Sequence, residues 1–280
     1  MKNEKKNKNE AANYGKIIAE GKTKIIWSIQ GVSDEVLIES KDQITAGDGV
    51  KRDIIESKGI LSNKTTCNCF RLLNLKGVPT HFIKEINERI FRAYFLSMIP
   101  TEFVIRRIAT GSYLKRNLEI MEGTIFEQLV TEFFLKDDAR HDPMMIWNDR
   151  KQHFELYDAK LPIKYGYLGK LESSEIPKTL KEVEQLRDIS VRVFLILEEA
   201  WEKLNVSLVD LKIECGYDAS GKILVGDVID NDSWRIWPGG DKTQMKDKQV
   251  YRDLKSTTPE ALNAIKKNYV WVAEATSKFI

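Results

Sequence analysis

The chain has 280 residues, 44 basic and 42 acidic, for a net charge of +2. That length allows one large domain or two lobes around a cleft, and the near balance of charge argues against a dedicated nucleic-acid binder. Its three cysteines, Cys67, Cys69 and Cys215, form no CxxC pair and sit beside no histidine, which points away from a disulfide framework or zinc site and toward reduced thiols in the cytoplasm.

Residues 1–13 are rich in lysine, asparagine and glutamate and lack the apolar core of a signal peptide. No later run approaches the length of a membrane span, so a solvated tail and no membrane partner are expected. From residue 15 to 29, β-branched residues flank Glu20-Gly21, predicting two strands joined by a glycine turn. A short strand is predicted at 35–40, and residues 42–49, with two glycines and two aspartates and no periodicity, are expected to form a rim loop. Cys67, Phe70, Leu73 and Leu75 give residues 63–75 a helical rhythm that Gly77 and Pro79 end.

Further strands are predicted at 81–86 and 103–108. The longest helix is predicted over 180–204, because Val183, Leu186, Ile189, Val193, Leu197, Ala200 and Trp201 recur near the helical repeat. Between 147 and 177 prolines, glycines and charges alternate, predicting a surface excursion. A last amphipathic helix is predicted over 259–278.

Three constellations are candidates to carry chemistry. Gly21-Lys22-Thr23-Lys24 superficially ends like a phosphate-binding loop, but it lies between strands and has the wrong glycine spacing for a Walker sequence. A glycine turn between strands can instead fold over nucleotide phosphates with lysines as point charges; the plainer reading is a hairpin with exposed lysines. In residues 208–215, alternation places Asp210, Lys212 and Glu214 on one face and Val209, Leu211, Ile213 and Cys215 on the other.

The turn Asp218-Ala219-Ser220-Gly221 leads into a strand predicted over 223–230. If Asp218 and Gly221 close a two-residue loop, Glu214 lies opposite Val225 and diagonal to Asp227 on one face, where the two carboxylates could share Mg2+. A three-residue loop would throw Asp227 to the opposite face. Against an ordinary solvated hairpin face stands the apolar run around Asp227, where an unpaired charge is costly. The third constellation, Arg106-Arg107 with Thr110-Gly111-Ser112 and Lys115-Arg116, suits a phosphate monoester as well as it suits a basic surface turn. His81, His141 and His153 fall in no hydrolase signature.

Taken in order, these segments resemble SAICAR synthetase, the phosphoribosylaminoimidazole-succinocarboxamide synthase family, and look most like the synthetase half of the bifunctional animal enzyme. The resemblance spans residues 14–272 and is carried by EGKTK at 20–24, SKDQITAGDG at 40–49, SNK at 62–64, RRIATGS at 106–112, FLKDDARHDP at 134–143, LVDLKIE at 208–214, DVIDNDSWRIWP at 227–238 and DKQVYRDLK at 247–255. It implies an α+β fold: a strand-rich antiparallel N-terminal lobe over a mixed C-terminal lobe, with ATP between them. It further implies one catalytic domain over 14–280, with lobes at about 14–108 and 109–280.

By the same resemblance the ligase would join L-aspartate to carboxyaminoimidazole ribonucleotide, using ATP and Mg2+. Lys22, Thr23, Lys24 and Lys136 match nucleotide contacts, and Glu214 and Asp227 match magnesium-linked carboxylates. Arg106, Ser112 and Arg235 match positions around the ribose phosphate. Lys24, Asp210, Lys212 and Lys248 are expected to take part in catalysis, and Asp48, Asp142 and Asp232 are further motif residues.

Departures from the family pattern are Thr101, Gln128, Leu129 and Cys215, and residues 144–179 match poorly. Nothing resembling a carboxylase domain follows, which leaves a monofunctional protein and a piece of a longer one as the two expectations. Assembly is expected as a homo-oligomer or with other purine enzymes. Two rival readings are a non-catalytic nucleotide-binding or scaffold relative and a kinase-like phosphotransferase.

Overall fold

The computed structural model describes residues 14–47, 49–171 and 180–280. The N-terminal part begins with β1 (Tyr14–Glu20), β2 (Lys24–Ile29) and β3 (Val32–Ser40), consecutive antiparallel strands whose β-branched content favours a pleated surface. Next come β4 (Gln43–Ala46) and β5 (Lys51–Ile54), which pair with each other as a separate two-stranded hairpin. The rim loop expected over 42–49 is therefore half of a hairpin: Gly47 and Gly49 lie in its turn, both at positive φ.

Helix α1 (Lys58–Leu75) starts five residues earlier than its apolar rhythm predicts. Its first turns are buried although polar, with Lys58, Ser62, Asn63, Thr65 and Thr66 all hidden. The helix start is satisfied from a distance: the Asp42 carboxylate accepts the Gly59 N–H at 2.8 Å and is gripped at both oxygens by Arg89. A cap supplied by another segment leaves no local signature in the sequence.

Strands β6 (Phe82–Asn87) and β7 (Ile90–Tyr94) complete the first sheet, in the order β1-β2-β3-β7-β6. The chain then changes sheets and enters β8 (Ser97–Ile108), the short helix α2 (Ser112–Arg116) and β9 (Ile125–Leu135). Strands β10 (Met144–Asn148), β11 (His153–Tyr157) and β12 (Tyr167–Lys170) follow. The surface excursion expected over 147–177 thus carries the end of β10, β11 and β12 between turns as far as residue 171, while residues 172–179 lie outside the described residues. Its strands are short and differ in pattern, an apolar run in β10 and a mixed one in β11 and β12, so no single period registers.

Helix α3 (Leu180–Glu202) agrees with its predicted stripe. It leads to β13 (Val206–Tyr217), β14 (Ile223–Val225), β15 (Trp234–Pro238), α4 (Gln249–Asp253) and α5 (Pro259–Thr276). The large sheet runs β12-β11-β10-β9-β8-β13-β14, with β15 also on β13. The fold is α+β, with antiparallel pairing between the strands of both sheets.

Strand β13 is the pivot of the large sheet. One edge pairs with β8; the other is shared, its first half with β15 and its last three residues with β14. Between those two partners the chain leaves the sheet at residue 226 and returns at 234, held to β13 by the Gly226 N–H on the Glu214 carbonyl (2.9 Å) and the Lys212 N–H on the Ser233 carbonyl (2.7 Å). Behind the sheet, Trp201 of α3 meets Trp234 edge-on, stacks parallel to Trp271 of α5 and receives Phe279, tying both helices to β15. Removing that fully buried side chain in Trp201→Ala is expected to destabilise the fold by about 3–5 kcal/mol, read as a lower midpoint in equilibrium urea unfolding.

Candidate active site

Strand β13 places Asp210, Lys212 and Glu214 on one face and Leu211, Ile213 and Cys215 in the core behind, as alternation requires; Val209 departs from it, because a bulge between Leu208 and Asp210 buries it instead against Ile108 and Trp237. The charged face is not a solvated one. Glu214 is buried, and its two oxygens accept from Lys212 at 2.5 Å and from Lys136, just beyond β9, at 2.6 Å. Lys212 also reaches Glu102 at 3.4 Å and Asp227 at 3.8 Å, and Lys24, the first residue of β2, pairs with Asp227.

Burial pushes Glu214 up, but Lys212, Lys136 and Lys24 overcome it and hold the carboxyl down at about 2. Burial pushes the Lys24 ammonium down to about 8; Glu214 opposes that shift, while Lys212 and Lys136 add to it. Glu214 and Asp227 therefore belong to one charge cluster, lining a cavity of about 490 Å³ together with Lys22, Thr23 and Lys248.

The route by which Asp227 arrives differs from the hairpin geometry. Pairing is Cys215 with Val225 and Tyr217 with Ile223, and the Asp218 N–H bonds the Lys222 carbonyl. The connection is the three-residue type that would turn Asp227 to the opposite face of a continuing strand. The strand does not continue: β14 ends at Val225, and Asp227 takes φ 57°, a left-handed conformation that swings its side chain back toward β13. Gly226 lets the chain pass close to Leu96 at the break, since a Cβ there would lie 2.9 Å from the Leu96 Cδ1.

Adjoining this cluster is an apolar slot of about 310 Å³ lined by Ile26, Val36, Ile38, Met98, Ile99 and Pro100 and opening on Lys24, Lys136, Glu214 and Asp227. The sequence reading did not single it out, since its walls come from three strands whose facing residues look like ordinary core. The continuous apolar run Val36-Leu37-Ile38 carries no sign that two of its members face a cavity.

On the other side runs a buried ladder of alternating charge. Arg235 of β15 pairs with Asp210, which also accepts from Arg106 of β8 at 2.6 Å. Arg106 continues to Glu132 of β9 at 2.7 Å, and Glu132 accepts from Arg116 of α2 at 2.5 Å. Arg106 is only 3% exposed, so it is clamped between two carboxylates rather than presented as a free grip. Arg106, Arg235, Arg252 and Lys212 against the carboxylates of Asp210 and Asp232 leave a surplus of positive charge on the wall of a pocket of about 160 Å³ that Ser112 also lines.

Gly111 lets Arg235 lie there, because a Cβ would come within 2.6 Å of its guanidinium. Asp232, on the excursion, accepts from Lys248 and from the Tyr269 hydroxyl, both at 2.8 Å, with the buried Lys58 ammonium 4.0 Å away. Asp247 fixes Lys248 and Arg235 together by accepting the Gln249 and Ile236 N–H groups. Asp142 lies apart from this group: it accepts the Asp137 N–H at 2.8 Å and lines a further cavity with Arg106 and Ser112. Asp48 lies outside the described residues. Glu132, Lys58 and Arg252 were not singled out from sequence, and Arg116 entered only as part of a basic phosphate-binding cluster; nothing in their spacing shows that they meet partners on distant segments.

Among the described residues no group of three or more His, Cys, Asp or Glu side chains is arranged to hold a metal. Glu214 and Asp227 supply hard oxygen donors on one cavity, which fits a magnesium ion that takes its remaining ligands from phosphate and water.

The profile of the family described as SAICAR synthetase matches residues 17–268. The chain is 47% identical to the phosphoribosylaminoimidazole-succinocarboxamide synthase of Roseiflexus sp. (strain RS-1) over 268 residues, covering 96% of this chain and 99% of that one. It is 45% identical to the human bifunctional phosphoribosylaminoimidazole carboxylase/phosphoribosylaminoimidazole succinocarboxamide synthetase, covering 95% of this chain but 59% of that protein. It spans 27% of a bifunctional purine synthesis protein of Dictyostelium discoideum at 44% identity, covering 94% of this chain. A SAICAR synthetase solved in complex with ADP superposes with a TM-score of 0.72 at 30% identity, over 90% of this chain and 97% of that one.

Gly111 has φ 62° and ψ −132°, a region that side chains avoid. Gly111→Ala is therefore expected to destabilise the fold by about 1–3 kcal/mol and to displace Arg235, read by urea unfolding together with the loss of the Arg235–Asp210 contact in a crystal structure of the variant.

Proposed function

This chain belongs to the SAICAR synthetase family, and from that premise we propose that it joins L-aspartate to carboxyaminoimidazole ribonucleotide, consuming ATP and releasing SAICAR, ADP and phosphate in de novo purine biosynthesis. The single observation that carries the assignment is the cluster of Lys24, Lys136 and Lys212 around Glu214 and Asp227, set between an apolar slot and a positively charged pocket. A purine ring suits the slot, triphosphate oxygens suit the lysines, and a phosphate monoester suits the Arg235–Ser112 pocket with its surplus charge. In this reading Arg106 acts on the monoester chiefly through the ladder that fixes Arg235.

A carboxylate resists attack by an amine until one oxygen becomes a leaving group. The substrate carboxylate oxygen attacks the terminal phosphorus, the bond to ADP breaks, and an acyl phosphate results. The neutral amine of aspartate then attacks the acyl carbon, the carbon–oxygen bond to phosphate breaks, and the nitrogen's surplus proton leaves with the departing phosphate. Lys24, Lys136 and Lys212 stabilise the charge spread over the transferring group, and their placement by fixed carboxylates means little reorganisation at the moment of reaction. A magnesium ion bound by Glu214 and Asp227 would add Lewis-acid neutralisation of phosphate charge. Lys248, held by Asp232, adds a cation on the same cavity wall.

No helix of the described residues is long and apolar enough to cross a membrane, and the three buried cysteines are free, which supports the cytoplasm as the compartment.

Purified protein with ATP, magnesium, aspartate and the imidazole nucleotide is expected to form the succinocarboxamide, followed by chromatography. ADP without incorporated aspartate would instead mark a phosphotransferase, and no reaction a binding relative. Asp227→Asn, which keeps the shape and tolerates the left-handed backbone, is expected to lower kcat by about a hundredfold or more with an unchanged far-ultraviolet circular dichroism spectrum; retained kcat would remove Asp227 from the machinery.

Lys24 is charged below about 8 and neutral above it, so nucleotide affinity is expected to fall as pH rises through that value. Calorimetric titration of ADP across the range checks the slope, which Lys24→Arg should flatten because guanidinium stays protonated.

A further inference from the structure

A third substrate needs a place. The cavity of about 490 Å³ and the apolar slot account for the nucleotide, and the pocket beside Arg235 accounts for the phosphate monoester. A cavity of about 440 Å³ remains, joined to the first by Lys22 and Glu102 and to the monoester pocket by Arg106 and Ser112. Its outer wall is built by Asp138, His141, Asp142, Ala159 and Lys160.

Charge distinguishes this cavity from its neighbours. Among the described residues no carboxylate pairs with Lys22 or Lys160, whereas the lysines of the main cluster are all paired. Glu102, Asp138 and Asp142 line the same cavity. A molecule with two carboxylates and one ammonium complements that arrangement: cations unmatched within the protein for its carboxylates, acids for its amine.

Lys160 comes from the stretch that matches the family worst, yet its loop is firmly built. Its own N–H donates to Asp158 at 2.7 Å, and the Asp158 N–H donates to the Gly166 carbonyl at 2.7 Å. The Ala159 carbonyl accepts from Arg116 at 2.5 Å, and Arg116 is the last rung of the ladder that begins at Arg235. The same buried chain of charges thus fixes the monoester pocket and the wall opposite.

Resting on the ligase reading, we propose that Lys160 is a specificity-determining residue that binds a carboxylate of the dicarboxylate amino-acid substrate, with Arg116 as the positioning residue for its loop. Steady-state kinetics of the full chain test it. Lys160→Ala is expected to raise KM for aspartate about tenfold, the loss of one charge-assisted contact, and Lys160→Glu to raise it further. KM for ATP and for the imidazole nucleotide and kcat should stay within about twofold, and Lys160→Arg should retain most of the affinity.

Succinate, a dicarboxylate without the amine, should compete with aspartate in the unsubstituted protein and more weakly in Lys160→Ala. An unchanged aspartate KM in Lys160→Ala, or a rise confined to the imidazole nucleotide, overturns the proposal alone. Unsubstituted protein that forms no product overturns the ligase reading and this inference with it.

Discussion

One ammonium organises the site. Lys212 sits between Glu214 on its own strand and Asp227 on the excursion opposite, with Glu102 of β8 as a third neighbour. Removing several charges from water is expensive unless each meets an opposite charge at short range. The compensation comes from three directions: Lys24 from the first sheet, Lys136 from the end of β9, and Lys212 from the centre of the second sheet. Because the partners are drawn from both sheets, the cluster forms only when the two lie against each other, and that alignment in turn sets the apolar slot and the cavity beside it. Ammonium groups standing against these carboxylates mark a place where a bound cation and phosphate oxygens could exchange partners with them.

The second ladder, from Arg235 through Asp210, Arg106 and Glu132 to Arg116, obeys the same rule in a different geometry. Its first four members sit on neighbouring strands, where cross-strand spacing brings long side chains into register, and Arg116 joins them from α2. Breaking one rung would leave a buried charge uncompensated, which is why such a chain specifies position more than it adds net stability. It spans the floor from the monoester pocket to the Ala159 carbonyl, so two regions far apart in sequence share one rigid support.

Much of this was legible in the chain itself. Alternation along residues 208–215 placed Asp210, Lys212 and Glu214 on one face, and the structure has them there. The 3.6-residue stripe of α3 and the glycine turn before Lys24 also agree with the sequence. The start of α1 was not legible, because its cap is an aspartate sixteen residues upstream of the first helical residue. The strands after residue 144 were not either, since their pattern is short and mixed.

Asp227 shows where the two kinds of information part. Its membership of the cluster was inferred through a two-residue loop, yet the loop has three residues and the carboxylate returns by a left-handed break after Gly226. Local sequence determines what depends on neighbouring residues: strand alternation, helical periodicity, turn chemistry and the identity of the charged groups. Register across a loop, the burial of Arg106 between two carboxylates and the reach of Lys24 to Asp227 depend on contacts between distant segments. Those contacts are selected by the requirement that every buried charge find a partner when the sheets close, and only the tertiary structure decides which partner that is.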